Sequence, residues 1–135
     1  MLAEISNRCD TVEECYEFLL AYAAQGLPSD QGSKSGAQVR ESLQKAVKAL
    51  TGLAEICALA VKEEGLEPAD TYLAFLAVLD RDARDSLAAI QLVLAQTIIS
   101  SQLIDNLNAS IHLRALLTDL FLAGEILRKR HEPAG

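Results

Sequence analysis

The stretch from Ser86 to Ile104 runs for nineteen residues without a charge in a chain of 135. That length approaches what a bilayer-spanning helix needs, so its reading decides between a membrane segment and a helical core. Seven of these residues are polar, namely Ser86, Gln91, Gln96, Thr97, Ser100, Ser101 and Gln102. They make insertion of a lone helix unfavourable. The expected state is therefore a central helix that is apolar, and buried, on nearly every side. Composition points the same way: 50% of residues are hydrophobic, only 4% are aromatic, and Trp is absent. The apolar mass is mostly Ala and Leu, which pack helices well and sheets poorly. No segment alternates cleanly with period two between turns, and no repeat recurs at a fixed period. The expected fold is one all-α domain, an up-and-down bundle of four long helices with one shorter helix or a kinked third helix.

Start and stop signals divide the chain into helical stretches at 10–25, 37–64, 68–79, 82–105 and 110–130. Thr11 and Glu14 form a capping box for the first, and Gly26 and Pro28 end it. The segment 26–36, with Ser29, Asp30, Gly32, Ser33 and Ser35, reads as a flexible connector and a place for a partner to bind. In the second helix Val39, Leu43, Ala46, Leu50, Leu53, Cys57 and Val61 share one side at spacings of three and four. Glu41 and Lys45 are spaced for an i,i+4 ion pair, and Gly52 marks a close helix crossing. The charged run from Asp80 to Asp85 interrupts the apolar pattern, so a break or bend is expected there, with Asp82 capping a new helix. The basic run Arg128-Lys129-Arg130 suits the negative end of the last helix.

The formal charge of −7 and a pI near 4.7 work against nucleic-acid binding, which needs clustered Lys and Arg. Three cysteines, Cys9, Cys15 and Cys57, are an odd set without paired spacing, which suits reduced thiols. The amino terminus lacks the basic start and apolar run of a signal peptide. A cytoplasmic protein outside the membrane is expected.

Two acidic groups are candidate metal ligands. Glu14 and Glu17 stand one turn apart on one helix face, where two carboxylates can share a divalent cation. The run Glu14-Cys15-Tyr16-Glu17 resembles the ExxE half of the motif in the all-α nucleotide pyrophosphohydrolases of the MazG type. The resemblance implies a helical bundle that holds Mg2+ and cleaves nucleoside triphosphates, with Glu14 and Glu17 as ligands. That family couples ExxE to ExxD on the following helix. Here the second helix has no such pair; Glu67-Pro68-Ala69-Asp70 and Asp82-Ala83-Arg84-Asp85 come later in the chain, so Asp82 or Asp85 would have to complete the site. Against this, Glu13, Glu14 and Glu17 suit a helix amino end and water, and Arg81 and Arg84 interleave with the aspartates. His112 has no Asp, Glu or Cys three or four residues away, and no Glu-x-x-His motif is present. No catalytic residue and no cofactor are assigned.

Assembly is the stronger expectation. The segments 86–104 and 111–127 carry more apolar residues than a small bundle can cover. A second copy about a twofold axis is the simplest cover, so a homodimer or higher even oligomer is expected. Leu94, Ile98, Leu113, Leu117, Leu120 and Phe121 are its expected interface. The functional expectation is a small acidic adaptor, chaperone-like or regulatory protein acting by protein–protein contact; the alternative is the metal-dependent hydrolase.

Overall fold

The computed structural model describes residues 1–131, and the side chains of residues 1–127. It is an all-α helical bundle: α1 (Leu2–Ala24), α2 (Lys34–Leu50), α3 (Leu53–Glu63), α4 (Ala69–Leu94), α5 (Ser101–Ala109) and α6 (Ile111–His131). No strand occurs among the described residues, and none of their helices is long and apolar enough to cross a membrane. The side chains of Arg128-Lys129-Arg130 and His131 lie outside the described part.

The first helix starts a full two turns before the capping box. Ile5, Cys9, Val12, Cys15, Leu19 and Tyr22 are all buried, a stripe at spacings of three and four that fixes one helix face on the core. Burial of Ile5 and Cys9 outweighs the local cap signal, and Thr11 instead sits inside the helix, its hydroxyl donating to the Asn7 carbonyl at 2.9 Å. The expected helix 37–64 is two helices. Gly52 has φ +74°, a left-handed conformation that costs a residue with a Cβ about 1 kcal/mol or more. It therefore ends the α2 run rather than marking a crossing within it. Arg8 of α1 secures the break by donating to the carbonyls of Thr51 at 2.7 Å and Ala49 at 3.4 Å.

The charged run 80–85 does not break the helix: α4 is continuous through it, and Asp82 lies in its interior rather than capping a new helix. Leu79, Ala83, Ser86, Ile90 and Val93 stay buried at helical spacing, while Arg84 and Asp80 pair at 2.9 Å on the exposed side. The interruption comes later. The expected helix 82–105 ends at Leu94 and resumes as α5 at Ser101. Thr97, Ile98 and Ile99 are β-branched and poor helix formers, and the Ser100 hydroxyl accepts from the Leu103 N–H at 3.0 Å to cap α5. The stretch is consequently not buried all round: Leu92 is 66% exposed. The polar cluster 105–110 continues α5 to Ala109, and the turn falls on Ser110 alone.

Helix α1 packs on α2, α5, α6 and α3; α4 packs on α6, α3, α2 and α5. Their buried faces meet in one core that includes Tyr22, Leu43, Leu50, Leu79, Ile90, Ile104 and Leu116.

Candidate functional site

Two polar clusters tie the helices together, and they differ in how completely their groups are satisfied. The first centres on Asp30, in the segment between α1 and α2. Its side chain is buried, with Oδ1 accepting from the Ile99 N–H and Oδ2 from Arg40 Nε, each at 2.7 Å. Arg40 also donates to the carbonyls of Leu94 at 3.2 Å, Gln96 at 2.8 Å and Thr97 at 3.0 Å. One guanidinium thus holds the turn from α4 to α5 in place. Tyr22 donates from its hydroxyl to the Ile99 carbonyl at 2.7 Å, and Ser101 Oγ donates to the Tyr22 carbonyl at 2.6 Å. Leu27 and Ser101 add a reciprocal pair, each bond 2.8 Å.

The electrostatics follow from this wiring. Burial disfavours the Asp30 carboxylate, but the Ile99 N–H and the Arg40 guanidinium outweigh it and hold the carboxyl below its ordinary range. Burial raises the Tyr22 phenol, and the Asp30 charge adds to the effect. The segment 26–36 is therefore not a flexible connector: it is fastened through Asp30, Leu27 and Gly36. An added Cβ on Gly36 would overlap the Asp30 carbonyl group.

The second cluster lies between α4 and α6. Ser86, fully buried, donates to the His112 carbonyl at 2.9 Å. Further along the same antiparallel pair, the Asp119 carboxyl is 7% exposed and within hydrogen-bond reach of Asp82. Burial, then the Asp82 carboxyl, push it up to about 7. Its Oδ2 finds no hydrogen-bond donor among the described residues. Sequence reasoning singled out Asp82 but missed Asp119. The available signal was an acid three residues from Leu116, one from Leu120 and four from Ala123, inside the apolar stripe of the last helix.

Outside this pair, α6 turns apolar side chains to solvent: Ile111 is 75% exposed, Phe121 55%, Leu122 52% and Ile126 44%. Helical spacing puts Ile111, Arg114, Thr118, Phe121, Leu122 and Glu125 on the outer side of α6, opposite its buried face. The expected interface set is thereby divided. Leu113, Leu117 and Leu120 face inward and are buried, so they belong to the core; Leu94 is half-buried against it. Ile98 and Phe121 are exposed, Ile98 in the α4–α5 turn and Phe121 on α6.

The four expected metal ligands do not converge. Glu14 and Glu17 are exposed on α1, while Asp82 and Asp85 lie on α4. Among the described residues no group of three or more His, Cys, Asp or Glu could hold a metal ion. Cys9, Cys15 and Cys57 are buried, and no disulfide joins them. Burial raises the Cys15 thiol, which donates to the Ser42 carbonyl at 3.2 Å, and pushes Cys57 up to about 11. Both thiols are thereby held in the unreactive protonated form at neutral pH. An open groove of about 420 Å³ between α1 and α2 is bordered by Arg8, Lys45 and Lys48. Arg8 is already engaged with Glu4 and the α2 carboxyl end, and Lys45 with Glu41 at 3.4 Å, the predicted i,i+4 pair. Comparison with protein-family models, curated proteins and solved structures finds no match to this chain.

Proposed function

We propose that this chain acts by protein–protein contact as a small acidic helical-bundle protein of the cytoplasm, an adaptor or regulator. Its outer α6 face pairs with the same face of a second copy. The observation that carries this reading is the set Ile111, Phe121 and Leu122 on the outer face of α6, between 52% and 75% exposed, with Ile126 at its edge at 44%. Scattered exposed apolar residues are ordinary, but a set on one helix face is the form that helix-on-helix recognition uses. Antiparallel helix dipoles favour a second copy in antiparallel orientation.

Sedimentation equilibrium at roughly 100 µM, well above a Kd of about 10 µM for a modest contact, tests this. The wild type is expected at twice 14.6 kDa. Phe121→Glu and Leu122→Glu are expected at one copy with unchanged helical content, because both sites face solvent. A wild type that stays at one copy under these conditions removes the self-pairing reading.

A further inference from the structure

We propose that Asp82 and Asp119 form a proton-operated latch that holds α6 against α4. Two carboxyl groups within hydrogen-bond reach are both acceptors when ionised, so their contact requires a proton on one of them. Asp119 is the buried partner, with an oxygen that lacks a donor among the described residues. With the proton in place, the Asp119 O–H donates to the Asp82 carboxylate, and the two helices are tied between the Ser86–His112 bond and the outer turns. Loss of that proton to solvent leaves two like charges face to face in a partly dry seam. The contact becomes repulsive, and α6 loosens from α4.

On α4, Arg84 is turned outward to Asp80, and Arg81 and Asp85 are exposed. On α6, His112, Arg114 and Glu125 are exposed. The buried face of α5 is Ser101, Ile104, Leu107 and Asn108, which do not ionise, and its Asp105 is exposed. From α1 the buried titratable groups are Cys9, Cys15 and Tyr22, of which Cys15 donates to Ser42 and Tyr22 to Ile99, and Asp10, Glu13 and Tyr16 are half-buried. Among the described residues, the charge that acts on Asp119 is that of Asp82.

The sign of the effect is fixed. Asp119 binds its proton more tightly in the folded chain than in the unfolded one, so its stabilisation is complete below pH 4. It is lost as pH rises toward about 7, with the folding constant falling up to tenfold per pH unit across that window. The latch is independent of whether α6 pairs with a second copy.

Three readouts test it. Carbon-13 detection of the side-chain carboxyls in the wild type should show Asp119 titrating near pH 7. Urea unfolding of Asp119→Asn, whose amide donates to Asp82 at every pH, should lack the wild-type fall in stability between pH 4 and 7. At pH 8, α6 amides should exchange faster in the wild type than in Asp119→Asn, and equally at pH 5. An Asp119 carboxyl titrating in the ordinary carboxylate range, or a variant that keeps the wild-type pH slope, overturns the latch. Should Asp119→Asn fail to fold, the wild-type titration decides alone.

Discussion

The turn between α4 and α5 and the seam between α4 and α6 are both held by buried aspartates, and they hold in opposite ways. Asp30 meets a backbone N–H and a guanidinium, each at 2.7 Å, and both partners are bonded in turn, Arg40 donating to the Leu94 carbonyl and the Ile99 carbonyl accepting from the Tyr22 hydroxyl. Asp119 meets another carboxyl and has an oxygen without a donor among the described residues. A satisfied buried charge fixes one geometry, because any movement leaves several groups unpaired at once. A half-satisfied one leaves its seam responsive to whatever changes the charge. The turn is thus a fastening and the seam a movable joint. The seam also borders the exposed apolar set of α6, so the responsive joint and the proposed contact surface share a helix.

The largest effects are expected where the fastening is broken. Asp30→Ala removes the acceptor of Arg40 and of the Ile99 N–H together, and is expected to lose about 3 kcal/mol in urea unfolding at constant slope. Gly36→Ala should cost about as much, since the new methyl must displace the Asp30 backbone. A loss below about 1 kcal/mol for both would make the turn no more rigid than the seam and dissolve the contrast.

Legibility in the sequence follows the same division. Whatever depends on periodic burial could be read: the all-α bundle, the inward face of α2, and the Glu41–Lys45 pair. Boundaries set by tertiary contacts could not. Thr11 carries a cap signal that loses to the burial of Ile5 and Cys9, and the run 80–85 looks like a break but is spanned by Asp80 and Arg84. Segment 26–36 has the composition of a loose connector, because nothing local marks Asp30 as the acceptor for groups 10 and 69 residues away. The candidate site was half visible. Phe121 stands out in the sequence and is exposed, yet Leu113, Leu117 and Leu120, equally apolar, are core. Excess apolarity along a helix does not say which side faces in until its neighbours are placed.

The two aspartates also give the comparison opposite pH signatures. Asp30 has its carboxyl held below the ordinary value, so its stabilisation is present above about pH 4 and is lost as pH falls through the lowered folded value. Asp119 acts on the other side, between about pH 4 and 7. The wild-type stability curve should therefore rise out of acid and then decline before neutrality. Asp30→Asn should flatten the acid limb and spare the neutral one, and lose about 2 kcal/mol at pH 6 because its neutral side chain pairs less strongly with Arg40. Loss of the neutral limb in the same variant would mean that one network, not two, governs both regions.

The smallest expected effect divides a single helix. At the amino end of α5, Ser101 donates to the Tyr22 carbonyl and accepts from the Leu27 N–H. Toward the carboxyl end, Asn108 is 5% exposed and neither its Nδ2 nor its Oδ1 has a partner among the described residues. Removing a satisfied polar group strands its partners, whereas replacing an unsatisfied one with an apolar group of similar volume relieves a desolvation cost. Ser101→Ala should therefore destabilise by about 1 kcal/mol, and Asn108→Leu should stabilise by about the same amount. Both can be read from urea midpoints at one pH. The signs matter more than the sizes, because the substitutions share a helix and a core and differ chiefly in whether the native group was bonded. If Asn108→Leu destabilised the chain as much as Ser101→Ala, the two ends of α5 would be equally committed, and the α6 side of the bundle would be a second fastening rather than a joint.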